Sequence, residues 1–180
     1  MKSILGAALC GMLMIGAAGA DTLKVDPKRS RIHVDARSTG HGFTGTLEKY
    51  TAKVEGDTGK LEPTTFELDW KFADLNTYNN KRDHNMMKWL GDTKARGSFR
   101  FVKCWQKGGV KYAQGKLTIN KVSKTISFPY TAKQEGNWIT IDGTAKLDYT
   151  DFKLPLIRAV AVMKVQPELA VRFHVVGQLQ

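Results

Sequence analysis

From Arg31 onwards the chain places an apolar residue at every second position, segment after segment, and a period of two leaves few folds open. In Arg31–Arg37 the residues Ile32, Val34 and Ala36 share one side while polar and charged residues take the other. Thr65–Phe72 repeats the device with Phe66, Leu68, Trp70 and Phe72, and Phe99 with Phe101 continues it. Val110, Tyr112, Leu117 and Ile119 follow, then Ile126, Phe128, Tyr130 and Ala132, then Ile139, Ile141, Gly143, Ala145 and Leu147. Turn residues at Lys107-Gly108-Gly109, around Asn120 and at Glu135-Gly136-Asn137 separate these runs, and Leu169, Val171, Phe173 and Val175 form the last. The count is about eight strands at the short, regular spacing of an antiparallel sandwich or barrel. A final strand with an apolar face would be an aggregation hazard if its edge stayed open, which favours pairing with the first strand and closure into a barrel. The expected class is therefore all-β, an eight-stranded antiparallel barrel. Such a barrel is either filled by its own side chains or holds one small or elongated ligand. The inward candidates mix large residues (Phe66, Trp70, Phe101, Phe128) with small ones (Ala36, Gly143, Ala145), so both remain open.

The N-terminus follows another rule. Residues 1–20 carry one early lysine, an apolar run from Ile4 to Ala18 and the small residues Ala18-Gly19-Ala20, the pattern of a cleaved secretory signal. The mature protein is expected as one domain over 21–180, exported to the periplasm. Cys10 has Leu9 before it, where a lipid-anchored cysteine would want a small residue, and with residues 1–20 removed Cys104 is left without a disulfide partner. Cys104 in Phe101-Val102-Lys103-Cys104-Trp105 reads as a half-buried strand residue. No second apolar run is long enough to span a bilayer.

Signals for chemistry are sparse. His33, His41, His84 and His174 show no metal-ligand spacing, and no nucleophile elbow or phosphate loop occurs. Glu135, Asp142, Asp148 and Asp151 lie near turns, where carboxylates usually serve the turn or the solvent. No metal, cofactor or catalytic residue is expected, and the protein is read as not an enzyme.

One stretch breaks the alternation, Leu75–Phe101, with a polar turn, the cluster Arg82-Asp83-His84 and the apolar group Met86, Met87, Trp89 and Leu90. A short helix near Asp83–Leu90 is predicted, with Asp83 as its cap. Arg82 at a helix start is disfavoured by the dipole, so it is expected to pair with a carboxylate or to face a phosphate at the barrel mouth. Met86, Trp89 and Leu90 share one helix face, which suits a plug at a barrel end and equally an adaptable apolar ligand wall.

Several short motifs follow one another along the chain: Asp26-Pro27-Lys28-Arg29-Ser30, then Gly42-Phe43-Thr44-Gly45, then Thr77 followed by Arg82-Asp83 and the apolar helix. Ser98-Phe99-Arg100-Phe101, Gly115-Lys116-Leu117-Thr118-Ile119 and Asp151-Phe152 continue the series. Taken in order, these motifs resemble those of the YceI-like family of exported lipocalin-like barrels. The chain departs from the family pattern at Ala95-Arg96-Gly97, Lys121 and Tyr149-Thr150. The resemblance implies a periplasmic binder or carrier of a long isoprenoid or related amphiphilic lipid, tail in the barrel and head near the mouth. With the alternation it nominates Phe43, Phe66, Trp70, Met86, Trp89, Phe101 and Phe128 as apolar wall and Arg82 as head-group or structural cation. The net charge of +11 favours phosphate-bearing heads and transient contact with an anionic membrane surface. No nucleic-acid recognition motif is evident. Two rivals are carried forward: a filled barrel that acts as an envelope interaction or stress protein, and a lipid- or quinone-modifying enzyme using Asp83 and His84.

Overall fold

The computed structural model describes residues 20–92, 94–159 and 163–180. The signal segment expected over 1–20 lies, apart from Ala20, outside the described residues. Among the described residues there are twelve strands: β1 (Asp21–Val25), β2 (Arg31–Ser38), β3 (His41–Leu47), β4 (Tyr50–Asp57), β5 (Glu62–Lys71), β6 (Leu75–Asn76), β7 (Arg96–Lys107), β8 (Val110–Ile119), β9 (Val122–Glu135), β10 (Trp138–Asp148), β11 (Arg158–Ala159) and β12 (Met163–Leu179). One helix, α1 (Asn80–Leu90), and two 3-10 turns, Phe72–Asp74 and Tyr149–Phe152, interrupt them.

Twelve strands reduce to eight staves. The antiparallel ring runs β1-β4-β5-β7-β8-β9-β10-β12 and closes where β12 pairs back onto β1, Leu23 facing Leu179 and Val25 facing Gly177. β2 lies further along the same β12, with Val34 opposite Val171 and Ile32 opposite Phe173. β1 and β2 are thus one stave broken in the middle, and β3 with β4 is a second. The break follows from Asp26-Pro27-Lys28-Arg29-Ser30. Asp26 Oδ1 accepts from the Lys28 and Arg29 amides, a local turn that Asp favours. Ser30 Oγ donates to the Asp26 carbonyl at 2.7 Å and accepts from the Val176 amide at 3.0 Å, which supplies the ladder bond that the kink would otherwise lose.

The expected alternation holds between the bulges at Glu55–Gly56, Phe101–Lys103 and Val165–Leu169. Leu68, Trp70, Phe99, Leu117, Phe128, Ala145 and Phe173 belong to one interior cluster, and the residues flanking Phe128, Ser127 and Pro129, face outwards. Glycines make room for the large rings. A Cβ on Gly97 would overlap the Trp70 ring, one on Gly115 the Phe99 ring, and one on Gly143 the Phe173 ring. Chain direction gives the two barrel ends different contents. At one end α1, the Tyr149–Phe152 turn and Leu154 cap the interior: Leu90, Tyr149, Phe152 and Leu154 are all buried. At the other end lie the tight turns of β4–β5, β7–β8 and β9–β10.

Candidate functional site

The candidate site is the barrel interior, and a file of aromatic rings crosses it. Phe66 on β5 meets Phe99 on β7 edge-on at 5.7 Å between centroids, Phe99 meets Phe128 on β9 at 5.7 Å, and Phe128 meets Phe173 on β12 at 5.4 Å. These tilted and edge-to-face geometries are the favoured ones for aromatic pairs. Beyond the file, at the turn end, is an apolar cavity of about 40 Å³ bordered by Leu23, Val54, Leu61, Tyr130, Ile139 and Ile141. Its volume holds a water molecule or two, far short of the roughly 300 Å³ from which drug-sized ligand pockets start. Yet Phe66, Leu68, Phe101, Ile126, Val171 and Phe173 point into the barrel and are only partly buried. Side chains that a filled core would bury completely thus keep part of their apolar surface uncovered.

Two tyrosine hydroxyls, Tyr50 Oη and Tyr130 Oη, are buried without a hydrogen-bond partner. Burial pushes both phenols up from their ordinary range, and for Tyr130 the neighbouring Cys104 and Glu62 push the same way. Burial also raises the Cys104 thiol, which disfavours the reactive thiolate and fits the half-buried strand residue expected from sequence.

The nominated residues fall into three places. Phe66, Trp70, Phe101 and Phe128 pack in the interior cluster, Phe128 buried and the other three partly so. Trp70 stands at the helix end, 6.0 Å from Phe72, and also borders an outer groove of about 340 Å³ with Asp69, Asp92 and Arg96. Met86 and Trp89 belong to the cap: the Trp89 ring meets Tyr149 at 5.2 Å and its Nε1 donates to the Pro155 carbonyl at 2.7 Å. Phe43 and Arg82 stand together and apart from the cluster, the guanidinium carbon 4.2 Å from the centre of the Phe43 ring.

The Arg82-Asp83 cluster needs correction. Asn79, not Asp83, is the cap of α1: its side chain accepts from the Arg82 amide at 3.0 Å, and the helix starts at Asn80, before the predicted Asp83. Asp83 reaches backwards instead, accepting from the Thr77 hydroxyl at 2.6 Å and the Thr77 amide at 3.2 Å. Arg82 meets no carboxylate among the described residues; its Nε donates to Thr77 Oγ1 at 2.9 Å. Thr77, buried, is thus the hub on which both charged groups converge. The cluster anchors the chain entering α1, and His84 is exposed with no hydrogen bond to Asp83, so the acid-base pair of the enzyme alternative is not assembled.

Sequence reasoning passed over Phe99 and Phe173 as wall residues, although each has the parity of its neighbours and Phe173 faces Gly143 across the sheet. It also left out Tyr149, whose hydroxyl donates to the Val165 carbonyl and accepts from the Ile157 amide, tying the cap to β12.

Comparison with known proteins gives this architecture a place. The model of the YceI-like domain matches residues 23–177, nearly the whole of the described chain. The chain belongs to the YceI-like family. Among solved structures, BcnA of Burkholderia cenocepacia superposes with a TM-score of 0.74 at 21% identity, covering 85% of this chain and 99% of BcnA. The YceI protein of Campylobacter jejuni superposes with a TM-score of 0.62 at 18% identity, covering 76% of this chain and 84% of that one. At such identities the likeness is one of fold. No curated protein sequence matches the chain. As a YceI-like barrel it is a protein of the binding or carrier type.

Proposed function

We propose that this YceI-like protein is a periplasmic carrier of a long isoprenoid or related amphiphilic lipid, held by its tail inside the barrel. The observation that carries the reading is the inward apolar face that the protein leaves partly uncovered at Phe66, Leu68, Phe101, Ile126, Val171 and Phe173. Covering it with a flexible hydrocarbon returns about 0.8 kcal/mol for each buried methylene, enough for tight binding without a charged contact. Entry of a chain requires the aromatic file of Phe66, Phe99, Phe128 and Phe173 to part, because the cavity beyond it is small. Arg82 already serves Thr77 and Phe43, so its part is to hold the cap, and the role of head-group cation passes from it. Contact with an anionic membrane surface, where such a lipid would be collected or delivered, belongs to the same reading.

The test is organic extraction and mass spectrometry of the mature protein purified from its native periplasm, with a denatured aliquot as control. A stoichiometric isoprenoid is the expected result, and Phe101→Gln, checked by thermal melting to be folded, is expected to carry less of it. A protein that arrives empty and refuses added isoprenoids would instead be the filled-barrel interaction protein.

A further inference from the structure

The charge of this chain is not spread evenly. From Thr93 to Gln134 there are ten lysines and arginines and no aspartate or glutamate. That span contains β7, β8 and nearly all of β9, and the three lie side by side in the ring, so a chain-local excess of cations becomes one wall of the barrel. The register sets Arg100 beside Lys116 and Lys103 beside Gln114 on its outer surface; Arg100 alone of these is neutralised, by Asp69 at 2.7 Å.

The same wall carries apolar side chains that water should disfavour. Among the described residues five large hydrophobics are exposed, and three are on one hairpin: Val102 at 59%, Trp105 at 36% and Val110 at 42%. Trp105 stacks flat on its cross-strand neighbour Tyr112, 5.5 Å apart and 11° from parallel, and Lys103 Nζ is 5.9 Å from the Trp105 ring. The hairpin turns through Gly108 and Gly109, both with positive φ, and Lys107 flanks the turn. β8 is held along its length by β9, but on its β7 side the hairpin has an open edge. β5 pairs with β7 only from Lys71–Arg96 to Glu67–Arg100; past a bulge at Phe101–Lys103, β7 is paired with β8 alone. Across the seam so formed, Lys111 Nζ reaches the carbonyls of Lys60 and Leu61 and lies 3.7 Å from Glu62.

We propose that the β7–β8 hairpin is a docking surface for an anionic lipid bilayer. Tryptophan and tyrosine prefer the head-group level of a membrane, valines beside them enter the acyl boundary, and lysines around them meet the phosphates. Charge complementarity selects the partner: an acid-free wall repels basic surfaces and is attracted to a lipid leaflet of opposite sign. The surface deepens the carrier reading by naming where it meets the membrane, since the turn end and the β5–β7 seam beside the hairpin lead to the cavity lined by Leu61 and Tyr130. It rests on that reading only for its purpose; vesicle binding is measured without cargo.

The experiment is co-sedimentation of the mature protein with vesicles of phosphatidylethanolamine and phosphatidylglycerol, against phosphatidylcholine alone. Binding is expected to the first and to collapse at about 1 M salt, where the screening length is about 3 Å. Lys103→Gln with Lys107→Gln is expected to weaken it roughly thirtyfold, from about 1 kcal/mol per cation at the surface. Trp105→Phe is expected to abolish most of the quenching of protein fluorescence by brominated lipid. Lys146→Gln with Lys164→Gln, exposed but on β10 and β12, serves as the comparison and is expected to bind as wild type. Absence of binding by the wild type, or equal weakening by both lysine pairs, overturns the proposal. A wild type that ignores vesicles but is held by a protein partner through the same wall overturns it too. Uptake of geranylgeraniol by the same variants separates the two readings: docking without uptake sinks the carrier and leaves this surface standing.

Discussion

Gly115 sits beneath the Phe99 ring, and adding a methyl there forces the ring off its position between Phe66 and Phe128. Gly115→Ala is expected to lower stability by about 1–3 kcal/mol in a urea titration, the usual cost of overpacking a core. Tyr130 points the other way. Its buried hydroxyl has no partner, and such a group costs about 1–3 kcal/mol, so Tyr130→Phe is expected to be as stable as wild type or more so. A less stable variant in thermal melting would mean that the hydroxyl is served by a trapped water or the Cys104 thiol. At this scale the sequence was readable where parity decides: Phe66, Trp70, Phe101 and Phe128 are interior because every second residue must be. It was unreadable where a contact depends on chain segments brought together by folding. Nothing local to Phe43 announces that Arg82 will cover it, and nothing local to Asp83 announces that Thr77 will claim its carboxylate.

Helix α1 shows why an element's start is harder to read than its body. Met86, Trp89 and Leu90 mark the buried face by their spacing, but the first turn, Asn80-Lys81-Arg82, is polar throughout and carries no periodic signal. Two acceptable caps, Asn79 and Asp83, then compete, and Asp83 is drawn off by the buried Thr77 hydroxyl and amide. Asp83→Asn keeps the shape and removes the charge, and is expected to cost about 1.5–3 kcal/mol of stability, the range for hydrogen bonds to charged groups. On the outer surface Asp35 of β2 is held below the ordinary carboxylate range, chiefly by its hydrogen bonds from Arg172 of β12. Because the folded state lowers this pKa, the pair's contribution is complete above the unfolded value of about 4 and fades as the pH falls through the lower folded one. The pair is partly exposed, so Asp35→Asn is expected to cost only about 0.5 kcal/mol near neutrality. The difference from wild type should vanish in acid; one that grew as the pH fell would contradict the assignment.

At the scale of the whole molecule the barrel was legible because alternation, turn spacing and the need to cover a last apolar edge all point to closure. The cargo was not, since the same alternation serves a filled and a hollow barrel, and the balance is set by how rings such as Phe99 and Phe173 lie over Gly115 and Gly143. The ring is completed by Leu23, Lys24 and Val25 meeting Leu179, Gln178 and Gly177, residues from opposite ends of the described chain. Contacts of such sequence separation make folding slow, on the order of milliseconds to seconds, because loop closure must be met before the pairing rewards it. During synthesis β1 therefore emerges first and waits, its edge and later that of β10 open, until β12 has been made. A newly made chain is consequently in need of protection by holding factors up to that moment, and its yield should be set by the race between the arrival of β12 and self-association.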